Sequence, residues 1–234
     1  GQFSNVPSLK PVFDYSRDGV LRSLNESLQR LRLERVDIAL IHDGDVAAAE
    51  DPAHWRRCIE ETYPTLQELR SQGVVRAIGA GLNDSEPLVQ LAQEGDFDCF
   101  LLAGRYTLLD QSGLDELLPL CERRGISLIL GGPYNSGVLA SDLSSSSTYF
   151  YKQTPPEVLE RAQRIKAVCD RHGVPVKAAA LQFGLAHPAV AATVPGARST
   201  VEVEENVKMA GHPIPDGLWA DLRRDGHIRD NAPV

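Results

Sequence analysis

Apolar residues recur along this chain in two alternating periods. From Ser16 onward, Val20, Leu21, Leu24, Leu28 and Leu31 fall three and four apart with Arg and Glu between them. That is the spacing of a helix with one apolar stripe. Val36-Asp37-Ile38-Ala39-Leu40-Ile41 follows, a short apolar run that predicts a strand buried on both faces. The alternation then repeats. Helices are expected from Pro52 to Gln72, Glu86 to Gln93 and Leu114 to Arg124, with Gly73 and Gly125 as stops after the first and third. Strands are expected at Val74–Ala80, Asp98–Ala103 and Ile126–Leu130. Residues 1–15 and 141–153 read as loops, the second carrying four serines at Ser144–Ser147. Helices from Pro155 to His172 and Val176 to Ala186, a strand at Val190–Val194, and helices at Val201–Ala210 and Asp216–Arg224 complete the pattern.

Five strands alternating with helices predict a parallel sheet covered by helices, an α/β fold. No linker divides the chain, so residues 1–234 are expected to form a single domain. Polar and glycine-rich residues follow the strands, where α/β proteins place their ligands. A doubly wound sheet of five strands fits the count. A barrel of eight fits it if three β/α units are missing.

Composition narrows the function. With 42% hydrophobic and 24% charged residues the chain is of ordinary globular make-up. Its net charge of −8 argues against a nucleic-acid partner. No apolar run reaches the ~18 residues of a membrane span. No signal segment opens the sequence as given, and a cytoplasmic location is expected. Cys58, Cys99, Cys121 and Cys169 lack metal-site spacing and are expected to be small buried thiols.

Candidate chemistry clusters after the strands. His42 directly follows one. There an imidazole can hydrogen-bond a substrate oxygen, or it can serve as a structural histidine bonded to the backbone. His54, His172, His187, His212 and His227 fall in helices, helix ends or loops and are expected as surface or capping residues. Val194-Pro195-Gly196-Ala197-Arg198-Ser199-Thr200 joins a strand to a helix. Helix-start N–H groups with a nearby Arg suit an anion such as a pyrophosphate, though a capped helix with surface charges reads the same way. Asp43 and Asp45 are read as loop caps, and no metal site is expected. Gly131-Gly132 does not continue as a GxGxxG fingerprint, and Walker, HExxH and GxSxG motifs are absent. An aldolase or isomerase of phosphorylated sugars would want a strand-end lysine, which the sequence does not offer.

Several segments resemble the aldo-keto reductase superfamily. Leu21–Leu31 followed by Val36–His42 is similar to its "SLxxSLxRLxxxxxDxxxxH" signature. Gly73-Val74-Val75-Arg76-Ala77-Ile78-Gly79 is similar to "GKVRxIG", and Tyr106-Thr107-Leu108-Leu109-Asp110 to "YNLLD". Pro195-Gly196 with Glu205-Asn206 resembles the cofactor motif near the family's C-terminus. Gly131-Gly132-Pro133-Tyr134-Asn135-Ser136-Gly137, His42-Asp43 and Leu218-Trp219-Ala220-Asp221-Leu222 point to a narrower group, sugar dehydrogenases that oxidise aldoses at C1, with pyridoxal dehydrogenases as relatives.

The resemblance implies a (β/α)8 TIM barrel, of which this chain represents strands 4–8 and their helices. It also implies an extended nicotinamide cofactor, NAD or NADP, and a small sugar or aldehyde substrate. In the family an Asp, a Tyr and a Lys act with a His. Only the His has a counterpart, His42; Lys10 and Tyr15 do not match the others, which belong to the family's N-terminal third. The cofactor residues implied are Gly81 and Asn83 at the nicotinamide amide, Gly131 where an aromatic often stacks, and Pro133, Asn135 and Gly137 beside it. Pro195, Gly196, Arg198, Glu202, Glu205 and Asn206 complete the set, with Glu205 and Asn206 at the adenine. Glu202 stands where NADP-preferring relatives carry a basic residue, which tilts the expectation toward NAD. The alternative is a catalytically incomplete remnant that binds a dinucleotide or a protein partner. Uncovered strand edges would suit a homo-oligomer.

Overall fold

Ser16 opens the first helix of the computed structural model, which describes residues 12–141, 148–150 and 152–234. The Ser16 hydroxyl accepts a hydrogen bond from the Gly19 N–H, capping α1 (Arg17–Leu31). There follow β1 (Ile38–His42), α2 (Gly44–Glu50), α3 (Ala53–Arg57), a π-helical turn (Cys58–Thr62), α4 (Tyr63–Ser71), β2 (Ala77–Leu82), α5 (Ser85–Glu94) and β3 (Cys99–Ala103). Next come α6 (Leu117–Arg124), β4 (Ser127–Gly131), and a short antiparallel pair, β5 (Thr148–Tyr149) and β6 (Lys152–Gln153). The chain continues through α7 (Pro156–Arg171), α8 (Val176–Phe183), β7 (Val190–Val194), α9 (Thr200–Ala210) and α10 (Asp216–Arg224). Among the described residues, no helix is long and apolar enough to cross a membrane.

The chain forms two compact units. One runs to Leu82 and includes Glu86–Leu101; the other comprises Asn83–Ser85 and Leu102–Val234. In the first, the strand order is β1-β2-β3, with β1 and β2 parallel. α4 packs on β2, and α1 packs on α4. Asp98 ties helix to strand: its Oδ2 accepts from Arg70 Nη1 at 2.7 Å and from the Ile78 N–H at 2.8 Å. Phe97 sits between Tyr63 and Phe100, with ring centroids 4.8 and 5.4 Å away. Burying each such ring is worth roughly 1.5–3 kcal/mol.

In the second unit, β4 and β7 pair in parallel, Gly131 lying opposite Val194. The Gly104 N–H donates to the Gly131 carbonyl at 3.0 Å just past the end of β3. Tyr106 packs against Phe183 at 5.1 Å and His187 at 5.7 Å. α7 packs on α8 and α10. Gln111 holds the chain's last turn from both sides: Nε2 donates to the His227 carbonyl at 2.8 Å, and Oε1 accepts from the Arg229 N–H at 2.9 Å.

Several expectations are corrected. β1 is not buried on both faces, since Ile38 is 44% exposed; among the described residues β1 pairs with β2 only. Gly81 and Leu82, beyond the strand expected at Val74–Ala80, belong to β2. His42-Asp43-Gly44-Asp45 does not lead into a loop but into α2, because Asp43 adopts a left-handed backbone (φ 49°) that turns the chain straight into a helix. The helix expected at 52–72 carries the π-helical turn. His187 and His227 are buried rather than at the surface. The polar stretch 141–153 contains β5 and β6, while its serines Ser144–Ser147 lie outside the described residues, as do residues 1–11 with Lys10. The four cysteines are free and buried, as expected.

Candidate functional site

In the first unit, candidate chemistry gathers where β1 and β2 end. His42 and Gly81 are register partners on the two strands, and the Asp43 N–H donates to the Gly81 carbonyl at 3.2 Å. The His42 side chain is 80% exposed, and its Nε2 lies 3.7 Å from Asp43 Oδ1. That separation is too long for a hydrogen bond, so the imidazole stays available. Its backbone is held from below. Tyr15 Oη donates to the His42 carbonyl at 2.8 Å. The Tyr15 carbonyl in turn accepts from Thr62 Oγ1 at 2.6 Å, and the ring packs edge-on to His54 at 5.6 Å. Burial, with Cys58, Asp43 and Asp45 nearby, pushes the Tyr15 phenol's pKa upward, so it remains a donor.

In the second unit, candidate residues cluster after three elements. Asn83 and Asp84 are pinned by Arg105. Its Nε donates to the Asn83 carbonyl at 3.1 Å and to Asp84 Oδ1 at 3.0 Å, while Nη1 reaches Asp110 Oδ2 at 3.1 Å. The Phe150 ring covers the same guanidinium, its centroid 4.5 Å from Cζ. The turn after β4 winds through left-handed backbone at Gly132, Asn135, Ser136 and Gly137. Asn135 is 3% exposed. Its Nδ2 donates to the Gly104 carbonyl at 3.3 Å, and its Oδ1 is buried with no hydrogen-bond partner among the described residues.

Since Gly131 opposes Val194, the Gly131–Gly137 turn and the Pro195-Gly196 segment leave the sheet side by side. A Cβ at Gly196 would meet nothing within 4 Å. Ser199 caps α9, its hydroxyl accepting from the Glu202 N–H at 3.2 Å. Glu202 Oε2 accepts from the Arg198 N–H at 2.6 Å, a bond that lowers the carboxyl's pKa. The Arg198 side chain is 92% exposed and lies 3.4 Å from Glu202 Oε1. On α9, Glu205 Oε2 accepts from Lys177 Nζ of α8 at 2.8 Å, and Asn206 Oδ1 accepts from Tyr134 Oη of the turn after β4 at 2.8 Å.

Thus His42 meets Gly81 in one unit. Asn83, Gly131, Pro133, Asn135, Gly137, Pro195, Gly196, Arg198, Glu202, Glu205 and Asn206 lie at strand ends, in the turns that follow or on α9 in the other. Sequence reasoning missed Tyr15, Arg105, Tyr134 and Lys177. Arg105 immediately precedes the Tyr106–Asp110 motif, and Tyr134 stands inside the glycine-rich turn. Both were visible as residues, but their partners lie 21 and 72 positions away.

The sequence model of the aldo/keto reductase family matches residues 9–224. Pyridoxal 4-dehydrogenase of Microbacterium luteolum is 39% identical over 227 residues, covering 96% of this chain and 66% of the relative. D-threo-aldose 1-dehydrogenase of Pseudomonas sp is 36% identical over 220 residues, covering 93% and 65%. The chain therefore spans about two thirds of the length of these curated relatives. The holo form of an aldo-keto reductase from Bacillus halodurans superposes with a TM-score of 0.70 at 24% identity, covering 90% of this chain and 68% of that one. That likeness shows the fold, the α/β type expected from the alternating pattern. With the family model spanning nearly the whole sequence, and two relatives above 30% identity, the chain belongs to the aldo/keto reductase family.

Proposed function

We propose that this chain holds a nicotinamide dinucleotide and forms part of an oxidoreductase that moves a hydride between NAD(P) and an aldose C1 hydroxyl. The observation that carries the reading is the Gly131–Val194 register. It brings the glycine-rich turn and the Pro195–Asn206 segment to neighbouring strand ends, in a chain 36% identical to an aldose dehydrogenase. The residues fit the group. Among the described residues Asn135 keeps a buried acceptor unpartnered, Arg198 offers an exposed cation, and Glu205 and Asn206 stand fixed on α9. When bound, the nicotinamide supplies the hydride acceptor or donor. In the first unit, His42 would offer a hydrogen bond to a sugar oxygen from a backbone that Tyr15 holds in place. Arg105 fixes the Asn83 backbone, which would hold the nicotinamide amide. Glu202, kept ionised by the Arg198 N–H, repels a 2′-phosphate, so NAD is the preferred cofactor.

One observation favours a narrower reading, dinucleotide binding without turnover by the chain as it stands. Proton transfer to a sugar oxygen wants a phenol whose acidity is increased. Among the described residues, Tyr15 and Tyr134 already donate their hydroxyl protons within the protein, to the His42 carbonyl and to Asn206 Oδ1, and burial pushes both phenols' pKa upward. Titrating NAD and NADP against the chain by tryptophan fluorescence, with NADH absorbance followed in the presence of L-fucose, tests both readings. NAD is expected to bind more tightly than NADP. Turnover would favour the complete reaction, and binding alone the narrower reading. Failure to bind either dinucleotide would overturn both.

A further inference from the structure

We infer that Tyr134 is a positioning residue that sets which end of the Asn206 carboxamide faces a bound base; this rests on the dinucleotide reading above. A carboxamide presents an acceptor at one end and two donors at the other, with nearly the same shape either way round. On an exposed helix such a group turns freely and recognises little. Asn206 is not free. Tyr134, 72 residues earlier in the turn after β4 and 8% exposed, donates its hydroxyl proton to Asn206 Oδ1 at 2.8 Å. With Oδ1 engaged, the end of the carboxamide left for a ligand is Nδ2, a donor that requires an acceptor on that ligand.

Two neighbours keep this arrangement one-sided. Burial, reinforced by the nearby Glu205 carboxylate, pushes the Tyr134 phenol up to about 12, so it stays protonated and continues to donate. Lys177 Nζ donates to Glu205 Oε2 at 2.8 Å, so that the carboxylate oxygen beside Asn206 in sequence already has a donor of its own. The group offered to a ligand is therefore an amide N–H, suited to a ring nitrogen of a purine. The cost of losing Tyr134's hydroxyl falls on the base and not on the nicotinamide half of a dinucleotide.

The test uses AMP, nicotinamide mononucleotide and NAD as separate probes in calorimetric titrations of the chain. Tyr134→Phe keeps the ring and removes the hydroxyl. It is expected to weaken AMP and NAD about tenfold, the scale of one hydrogen bond, and to leave nicotinamide mononucleotide unchanged. Asn206→Asp keeps an acceptor for Tyr134 but removes the Nδ2 donor, and should weaken AMP with the melting temperature preserved. In an Asn206→Ala background, Tyr134→Phe should cost nothing further. Equal AMP affinity in Tyr134→Phe and the native chain would overturn the inference. So would a parallel loss of AMP and nicotinamide mononucleotide, which would mark a scaffold effect. If the native chain binds neither AMP nor NAD, the dinucleotide reading itself has failed; native binding with an indifferent Tyr134→Phe sinks only the role of Tyr134.

Discussion

Two glycines two positions apart on β2 separate what a residue type signals from what a position requires. A Cβ at Gly79 would lie 1.9 Å from the Cys99 carbonyl oxygen, far inside any real contact. At Gly81 the nearest atom would be 3.7 Å away, ordinary packing distance. Gly79→Ala should therefore cost at least the ~1–3 kcal/mol of an overpacked core, whereas Gly81→Ala should stay within ~1 kcal/mol of the native chain. Urea unfolding of the two variants checks this, and equal losses would contradict it. The same pair shows why sequence placed the strand too early. Glycine ordinarily marks a turn, and the strand expected at Val74–Ala80 stopped just before Gly81, but here Gly79 permits close approach of backbone inside the sheet. His42 was legible because it directly follows an apolar run. Tyr15, which holds its carbonyl, was not, because nothing local to a loop tyrosine announces a bond 27 residues away.

Among the elements, the later helices and strands follow their sequence signals closely. β7 occupies Val190–Val194 as expected, bounded by Pro195, and α7 fills the long apolar stripe after Pro155. α2 escaped notice because its start depends on left-handed backbone at Asp43, and because a Cβ at Gly44 would lie 2.8 Å from Cys58 Sγ. Neither is a periodicity. The π-helical turn that follows places Cys58 and Thr62 inward, and Thr62 reaches the Tyr15 carbonyl. Capping differs between helices in the second unit. α7 and α8 start after Pro155 and Pro175 with no side-chain cap, whereas α9 is capped by Ser199. Ser199→Ala should thus cost about 1 kcal/mol, read as a shift in the urea midpoint. An unchanged midpoint would show that the Arg198–Glu202 bond alone secures the start of α9. The capped-helix reading of this motif holds at Ser199, and the anion reading rests on the same helix-start N–H groups.

For the whole molecule, stability should depend on pH near neutrality through two histidines. Burial lowers the pKa of His187 and of His227 below the ordinary 6.5. A histidine lowered on folding binds its proton more readily when unfolded. Its contribution is fully present above ~6.5 and is lost as pH falls from there through the folded value. Urea midpoints should fall between pH 7.5 and 5.5, and His187→Gln with His227→Gln should flatten that slope; a native chain equally stable at both would refute the assignment. Carboxylates lowered by their partners, such as Glu68 beside Arg17 and Asp221 beside His172, act in the more acid range below ~4.5. The family was legible because its motifs are runs of neighbouring residues in fixed order. The candidate site was legible only as far as those runs reach, and the side chains that hold it were not. The four shielded thiols, each shifted upward in pKa by burial, bear on how the molecule can be handled. A maleimide dye offered to the native protein finds no native cysteine ready to react, so one new cysteine at an open position would carry the only label and could report distances without prior removal of the others.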